Sequence, residues 1–195
     1  MKKGKFFLLL APVLCLYATA FAQNQALEVI HSRKSVRNYT GAQVNKDDLL
    51  VLVKAAMAAP TAMDRRPWAF VIVTDKDVLG KLAEGLPFTK MLVQAGAGIV
   101  VCGVMEKAPE GEGRDYWVQD CSAATENLLL AAESMGLGAV WTGVYPNKER
   151  VEFVRTALGI PEGVIPLNVV PVGYPAGSEK PKDKFDASNV HWEKW

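Results

Sequence analysis

The chain has 195 residues, 50% hydrophobic and 22% charged, with 22 Lys and Arg against 21 Asp and Glu. That is enough apolar material for one compact domain, and the near-neutral balance excludes a generally basic nucleic-acid binder. Three cysteines are too few for a disulfide framework, so a hydrophobic core must hold the fold.

The opening "MKKGKFFLLLAPVLCLYATAFAQN" has a positive n-region (Lys2, Lys3, Lys5), an apolar stretch from Phe6 to Tyr17 and a small-x-small site at Ala20-Phe21-Ala22. That order predicts a secretory signal peptide over residues 1–22, cleaved after Ala22, and an exported, periplasmic or envelope location. An uncleaved anchor is the alternative, although the apolar run is short for a span and carries Pro12. Leu14 stands before Cys15, where a lipoprotein would place a small residue. Cleavage leaves residues 23–195 as one expected domain without a stable membrane span. It also removes three lysines and turns the balance slightly acidic. Cys102 and Cys121 remain. They could form one disulfide outside the cytoplasm, but both sit in apolar patterns and read better as core thiols.

Next comes "HSRKSVRNYTGAQV", which crowds Arg33, Lys34, Ser35 and Arg37 together with no acid nearer than Glu28 or Asp47. A helix follows from Asn45, a plausible N-cap with Asp47 and Asp48 in the first turn and Pro60 as the stop. "AFVIV" (69–73) reads as a strand, 76–84 as a polar helix and 88–94 as a further amphipathic piece. "GIVVCGV" (98–104) reads as a buried strand. "RDYWVQDCSAATENLLLAAESMGLG" should be the longest helix, apolar almost all round and therefore central, with Gly136 as its stop. Strands are expected over 139–144 and 167–175, with a helix near 147–158 between them. Such alternation predicts an α+β or three-layer domain. The tail after Pro175 is charged and ends in "VHWEKW", an aromatic finish that suits docking on a second subunit.

Familiar chemistry is mostly missing. The chain has two histidines, His31 and His191, and no H-x-x-x-H or C-x-x-C pair, so no metal site is expected. There is no G-x-x-x-x-G-K-[ST], and no G-x-G-x-x-G between a strand and a helix. A cofactor would have to carry any reaction. Arg33, Lys34, Ser35 and Arg37 offer cationic forks and a hydroxyl suited to a phosphate, though a solvated basic turn explains them equally well on charge alone. "EKPKDKF" adds Lys180, Lys182 and Lys184, with Lys182 and Lys184 on one side of an extended segment.

Four stretches in order resemble the bacterial nitroreductase family, FMN-dependent NAD(P)H oxidoreductases, over essentially all of residues 26–195. They are "RKSVRNY", "PTAMDRRPWAF", "ENLLLAAESMGLGAVWTGVYP" and "GYPAGSEKPKDKFDASNVHWEKW". The resemblance implies a three-layer α/β/α nitroreductase-like fold in an intertwined homodimer, with FMN as cofactor. It implies that Arg33 and Ser35 hold the FMN phosphate together with Lys182 and Lys184. Arg37 would reach the pyrimidine edge of the ring, and Lys34 would contact ribityl or phosphate, or face solvent. Pro60, Thr61, Ala62 and Asp64 would come from the partner subunit. Thr142 and Gly143 would place backbone N–H groups near flavin N5, making Gly143 part of the catalytic centre. Pro60 could equally be a helix stop, and Gly143 a tight strand end.

The second stretch departs from the family pattern, with Asp64 where Asn is usual and Arg66 where Gln is usual. A carboxylate accepts hydrogen bonds but cannot donate one. Arg66 would balance Asp64 as an ion pair, or both would turn outward.

The implied activity is ping-pong hydride transfer through flavin N5, from NAD(P)H to an electron-poor acceptor (a nitroaromatic, quinone or flavin). Trp141 and Phe88 could wall the acceptor pocket, or belong to core or interface packing. Because a signal peptide points outside the cytoplasm, an unknown envelope donor could replace NAD(P)H. An exported, non-turnover FMN or small-ligand binder on the same scaffold is the alternative.

Overall fold

The computed structural model describes residues 25–195; the expected signal peptide and its cleavage site lie outside them. Residues 25–32 are helical (α1), and residues 33–40 run extended from its end. Helix α2 (Lys46–Met57) starts at Asn45, whose side-chain oxygen accepts from the Asp47 N–H at 3.0 Å. The loop after it leads into strand β1 (Trp68–Val73). Helix α3 (Lys76–Gly85) is capped by Asp75, which accepts from the Asp77 and Val78 N–H groups. The amphipathic piece near 88–94 is a single 3-10 turn, Lys90–Val93. Strand β2 (Ala97–Val104) is buried almost throughout.

Helix α4 (Tyr116–Ser134) begins two residues later than its pattern suggests, because Gly111–Asp115 forms a 3-10 turn instead. Its end follows the glycine logic. Gly136 has φ +71, the Leu137 N–H donates to the Ala132 carbonyl at 2.8 Å, and the Gly136 N–H donates to Glu133.

The strand expected over 139–144 is broken into β3 (Gly138–Ala139) and β4 (Thr142–Gly143). Both pieces pair antiparallel with β5 (Val164–Gly173) in one register, Gly138 with Gly173 and Gly143 with Asn168. That register sets Val140 opposite Pro171, which has no N–H to give to a ladder. Helix α5 (Lys148–Leu158) lies between β4 and β5.

The sheet order is β1-β2-β5-β3, with β4 also on β5 and every strand pair antiparallel. Apolar side chains of β2 alternate between its faces. Ile99 and Val101 meet α2 and α4 through Leu52, Leu128 and Trp117, while Val100 and Cys102 meet α3 and α5 through Leu82 and Val154. The layers are therefore helix, sheet, helix: the α+β, three-layer α/β/α arrangement expected.

Cys102 and Cys121 are buried and free, each thiol pushed up to about 12 by desolvation. No helix among the described residues is long and apolar enough to cross a membrane.

The extended segment 33–40 closes the β3 edge of the sheet. Ser35 bridges to Ala139 in parallel, and the Val36 N–H donates to the Ala139 carbonyl at 3.1 Å. Val36 is buried against Gly138, where an added Cβ would lie 2.6 Å from Val36 Cγ1. Beyond it, the Thr40 N–H donates to the Tyr174 carbonyl at 3.0 Å and the Ala176 N–H to the Asn38 carbonyl at 2.9 Å. Those bonds lead the C-terminal tail back over the N-terminal segment.

Candidate active site

Three clefts adjoin at that edge; one, about 460 Å³, shares Arg33, Lys182 and Lys184 with its neighbour and adds Asp183 and Phe185, and the other two meet at Arg37. The first of these two, about 390 Å³, is lined by Arg33, Lys34, Ser35 and Arg37 from the N-terminal segment and by Glu179, Lys180, Lys182 and Lys184 from the tail. The second, about 380 Å³, is lined by Arg37, Lys90, Phe88, Trp141, Thr142 and Gly143, with Pro87 and Met91. Arg37 belongs to both, so they form one groove with a cationic end and an aromatic end.

Two of the N-terminal cations, Arg33 and Lys34, are tied to acids of α4, while Arg37 is exposed. Arg33 gives Nε to Glu126 of α4 at 3.0 Å, and Lys34 gives Nζ to both carboxylate oxygens of Glu133 at 3.0 and 3.2 Å. Glu126 and Glu133 are two helical turns apart and share one face of α4. Among the described residues, Arg33 keeps its terminal nitrogens uncommitted, whereas two of the three Lys34 donors have an assigned partner. The solvated basic turn that charge alone allowed does not describe Arg33 and Lys34, whose charges are paired.

At the aromatic end, Thr142 is buried and its hydroxyl donates inward to the Val169 carbonyl. Gly143 is not a tight strand end: an added Cβ there would meet nothing within 4 Å. The open space beside it belongs to the groove. Phe88 and Trp141 are both exposed and line the cleft rather than the core, with the Arg150 guanidinium carbon 5.4 Å from the Phe88 ring centre.

Pro60, Thr61, Ala62, Asp64 and Arg66 line none of these clefts. Their loop enters β1, the opposite edge of the sheet, so several strand spacings of about 4.8 Å separate it from the groove. The loop is tightly determined. The Ala62 N–H donates to the buried Asp120 carboxylate at 2.8 Å, and the Arg66 N–H donates to the Thr61 hydroxyl at 3.1 Å. Met63, Asp64 and Arg66 all have φ near +50, which non-glycine residues adopt only where their surroundings impose it. Asp64 and Arg66 pair through two hydrogen bonds, yet their side chains stay 72% and 65% exposed. Within the single chain it is an ion pair on the surface. The Arg66 hydrogen bond keeps the Asp64 carboxyl below its ordinary range.

Sequence reasoning passed over Lys90 and Glu179. Lys90 follows Thr89 at the start of a 3-10 turn and enters the groove beside Arg37. Its only signal is a cation inside an otherwise apolar "PFTKMLV". Glu179 accepts from the Arg37 N–H at 3.0 Å and from Asn38 Nδ2 at 2.8 Å. Those bonds, the Arg37 N–H first, hold its carboxyl below the usual carboxylate range. An acid beside three lysines reads in one dimension as charge compensation.

The sequence profile of the nitroreductase family matches residues 30–87 and 83–174. The chain belongs to the nitroreductase family. It is 46% identical over 171 residues, 87% of each chain, to a protein of Methanothermobacter thermautotrophicus provisionally named NADH dehydrogenase/NAD(P)H nitroreductase. A crystal structure from Parabacteroides distasonis carrying the same provisional name superimposes with a TM-score of 0.83 at 52% identity, covering 88% of this chain and 99% of that one. An FMN-dependent nitroreductase from Clostridium difficile superimposes with a TM-score of 0.78 at 27% identity, covering 86% of this chain and 98% of that one.

Proposed function

We propose that this nitroreductase-family chain is an FMN-dependent oxidoreductase that takes electrons from NAD(P)H, or from an envelope donor, and passes them to nitroaromatics, quinones or flavins. One observation carries the reading: two cation groups from opposite ends of the chain converge with Ser35 on a cleft that continues, through Arg37, into an aromatic-walled groove. The donor set fits a phosphate monoester on a flat aromatic ring. The cleft has guanidinium and ammonium groups with a hydroxyl at one end, and two further cations, Arg37 and Lys90, with no acid lining the other.

On this reading Arg33, Ser35, Lys182 and Lys184 bind the phosphate, and Lys34 adds to the positive field while held by Glu133. Arg37 and Lys90 supply positive charge where the ring becomes electron-rich. Thr142 and Gly143 offer backbone without side-chain obstruction, since the Thr142 hydroxyl is turned inward and Gly143 has open space. Phe88 and Trp141 wall the space where donor and acceptor would stack in turn. Bound FMN supplies the two-electron relay, so no side-chain acid or base is required of the chain.

A homodimer belongs to the proposal. The loop of Pro60 to Arg66 lies at the wrong edge to serve its own groove, and a second copy brings such a loop to it. Two apolar areas support that assembly: the helical surface bearing Leu27, Ile30, Leu50 and Met57, and the tail bearing Phe185, Trp192 and Trp195, the last two 83% and 100% exposed. Export with removal of residues 1–22, leaving 23–195 as one domain, completes the reading.

The test is an absorption spectrum of the purified protein with and without added FMN, followed by anaerobic addition of NADH or NADPH and then a quinone or nitroaromatic. Bound-flavin absorbance should bleach and then recover. Flavin that binds but is neither bleached by a donor nor reoxidised by an acceptor would mark a binder instead of an enzyme.

A further inference from the structure

We infer that Glu179 is a positioning residue: it latches the C-terminal tail onto the N-terminal cation run, and the anion cleft keeps its binding shape only while that latch is closed. The inference rests on the phosphate reading of the cleft given above.

Glu179 is the one acid among the described residues lining that cleft, Asp183 lining the cleft that adjoins it at Lys182 and Lys184. A carboxylate in a cleft for an anion repels the ligand, so on charge alone it should weaken binding. Its contacts point elsewhere. One oxygen accepts from the Arg37 N–H at 3.0 Å and from the Asn38 side-chain amide at 2.8 Å. Both donors belong to the extended segment that carries Arg33, Ser35 and Arg37.

The tail's earlier attachments are the backbone bonds of Tyr174 and Ala176 with Thr40 and Asn38. After Ala176, no backbone hydrogen bond among the described residues joins the tail to that segment, and the tail's remaining backbone bonds are local. Glu179 is thus the final tie before Lys180, Lys182 and Lys184. Those lysines are exposed and appear in no salt bridge among the described residues. Without the tie, their ammonium groups would sample many positions, and ordering them would cost the ligand binding energy.

Gly177 lies against the latch. A Cβ added there would lie 2.2 Å from Glu179 Oε2 and 3.0 Å from Asn38 Nδ2, while its backbone lies outside the left-handed region that favours glycine.

Three variants of the full protein test this: Glu179→Ala, Glu179→Gln, and Gly177→Ala, which keeps the charge but displaces the carboxylate. Dissociation constants for FMN and riboflavin are measured for each, with amide hydrogen exchange of the flavin-free protein. Glu179→Ala should weaken FMN about tenfold, the scale of one lost charge-assisted contact, and leave riboflavin nearly unchanged. Gly177→Ala should resemble it, and Glu179→Gln, which keeps an acceptor oxygen, should retain most of the affinity. Exchange at the Arg37 amide and over residues 180–184 should quicken in the two alanine variants. FMN binding that is unchanged or tighter in Glu179→Ala, or unchanged exchange there, would overturn the latch. Equal FMN and riboflavin affinity in wild type, with exchange still quickened by Glu179→Ala, would overturn the phosphate reading and leave the latch standing as a tie between the two ends of the chain.

Discussion

The two cation groups that meet in the cleft are held in opposite ways. Arg33 and Lys34 are partly buried, and each is fixed by a carboxylate of α4, so their positions belong to the core. Lys180, Lys182 and Lys184 sit on an exposed tail whose last ties are two backbone bonds and Glu179. One side of the cleft is therefore tied to the core, and the other lies on an exposed tail. A site so built has a rigid wall and a soft one. Charge count alone does not rank these residues; the cost of ordering each one does.

Arg33→Ala should have the largest effect on FMN. It removes a preorganised fork and also leaves Glu126 unpaired beside the cleft, so affinity should fall by about a hundredfold, from a lost contact of roughly 1.5–3 kcal/mol plus that repulsion. Restoring part of the loss with Arg33→Ala/Glu126→Gln, by calorimetry or flavin fluorescence, would separate the two contributions. Removing Lys182 or Lys184 singly should come next, at about tenfold each, with a signature Arg33 lacks. Exposed charges are screened, so removing both should flatten the salt dependence of FMN binding while Arg33→Ala keeps most of it. Equal salt slopes would break the distinction between a rigid wall and a soft one. Lys34→Ala should change affinity only a few-fold, because Glu133 already engages most of its donors. Smallest of all should be Asp64→Asn. Its carboxylate is exposed and paired with Arg66, so with a second copy's loop at the groove the flavin midpoint potential should rise only slightly, and an unchanged potential would place that loop away from the ring.

Much of the fold was legible because its signals are local. Asn45 before an apolar helical pattern, and Gly136 after a longer one, mark helix ends through hydrogen bonds that neighbouring residues make. What the pattern could not carry were effects from distant partners. The break between β3 and β4 comes from Pro171 on the facing strand, thirty-one residues after Val140 in sequence. The piece near 88–94 keeps helical periodicity but holds only one 3-10 turn.

The site divides in the same way. Runs of like charge are visible in one dimension, so Arg33, Arg37, Lys182 and Lys184 stood out, and the two runs do converge on one cleft. Lys90 is a single cation with no neighbouring signal, and Glu179 is an acid whose partners lie 141 and 142 positions away. Neither could be ranked without the fold.

The central claim is that the converged cations exist for a phosphate. Comparing dissociation constants of FMN and riboflavin on the purified protein, at one salt concentration, tests it most directly. The two ligands share the ring and differ in the phosphate alone. The account predicts FMN tighter by a hundredfold or more, the product of several contacts of about tenfold each. Riboflavin binding as tightly as FMN would contradict it.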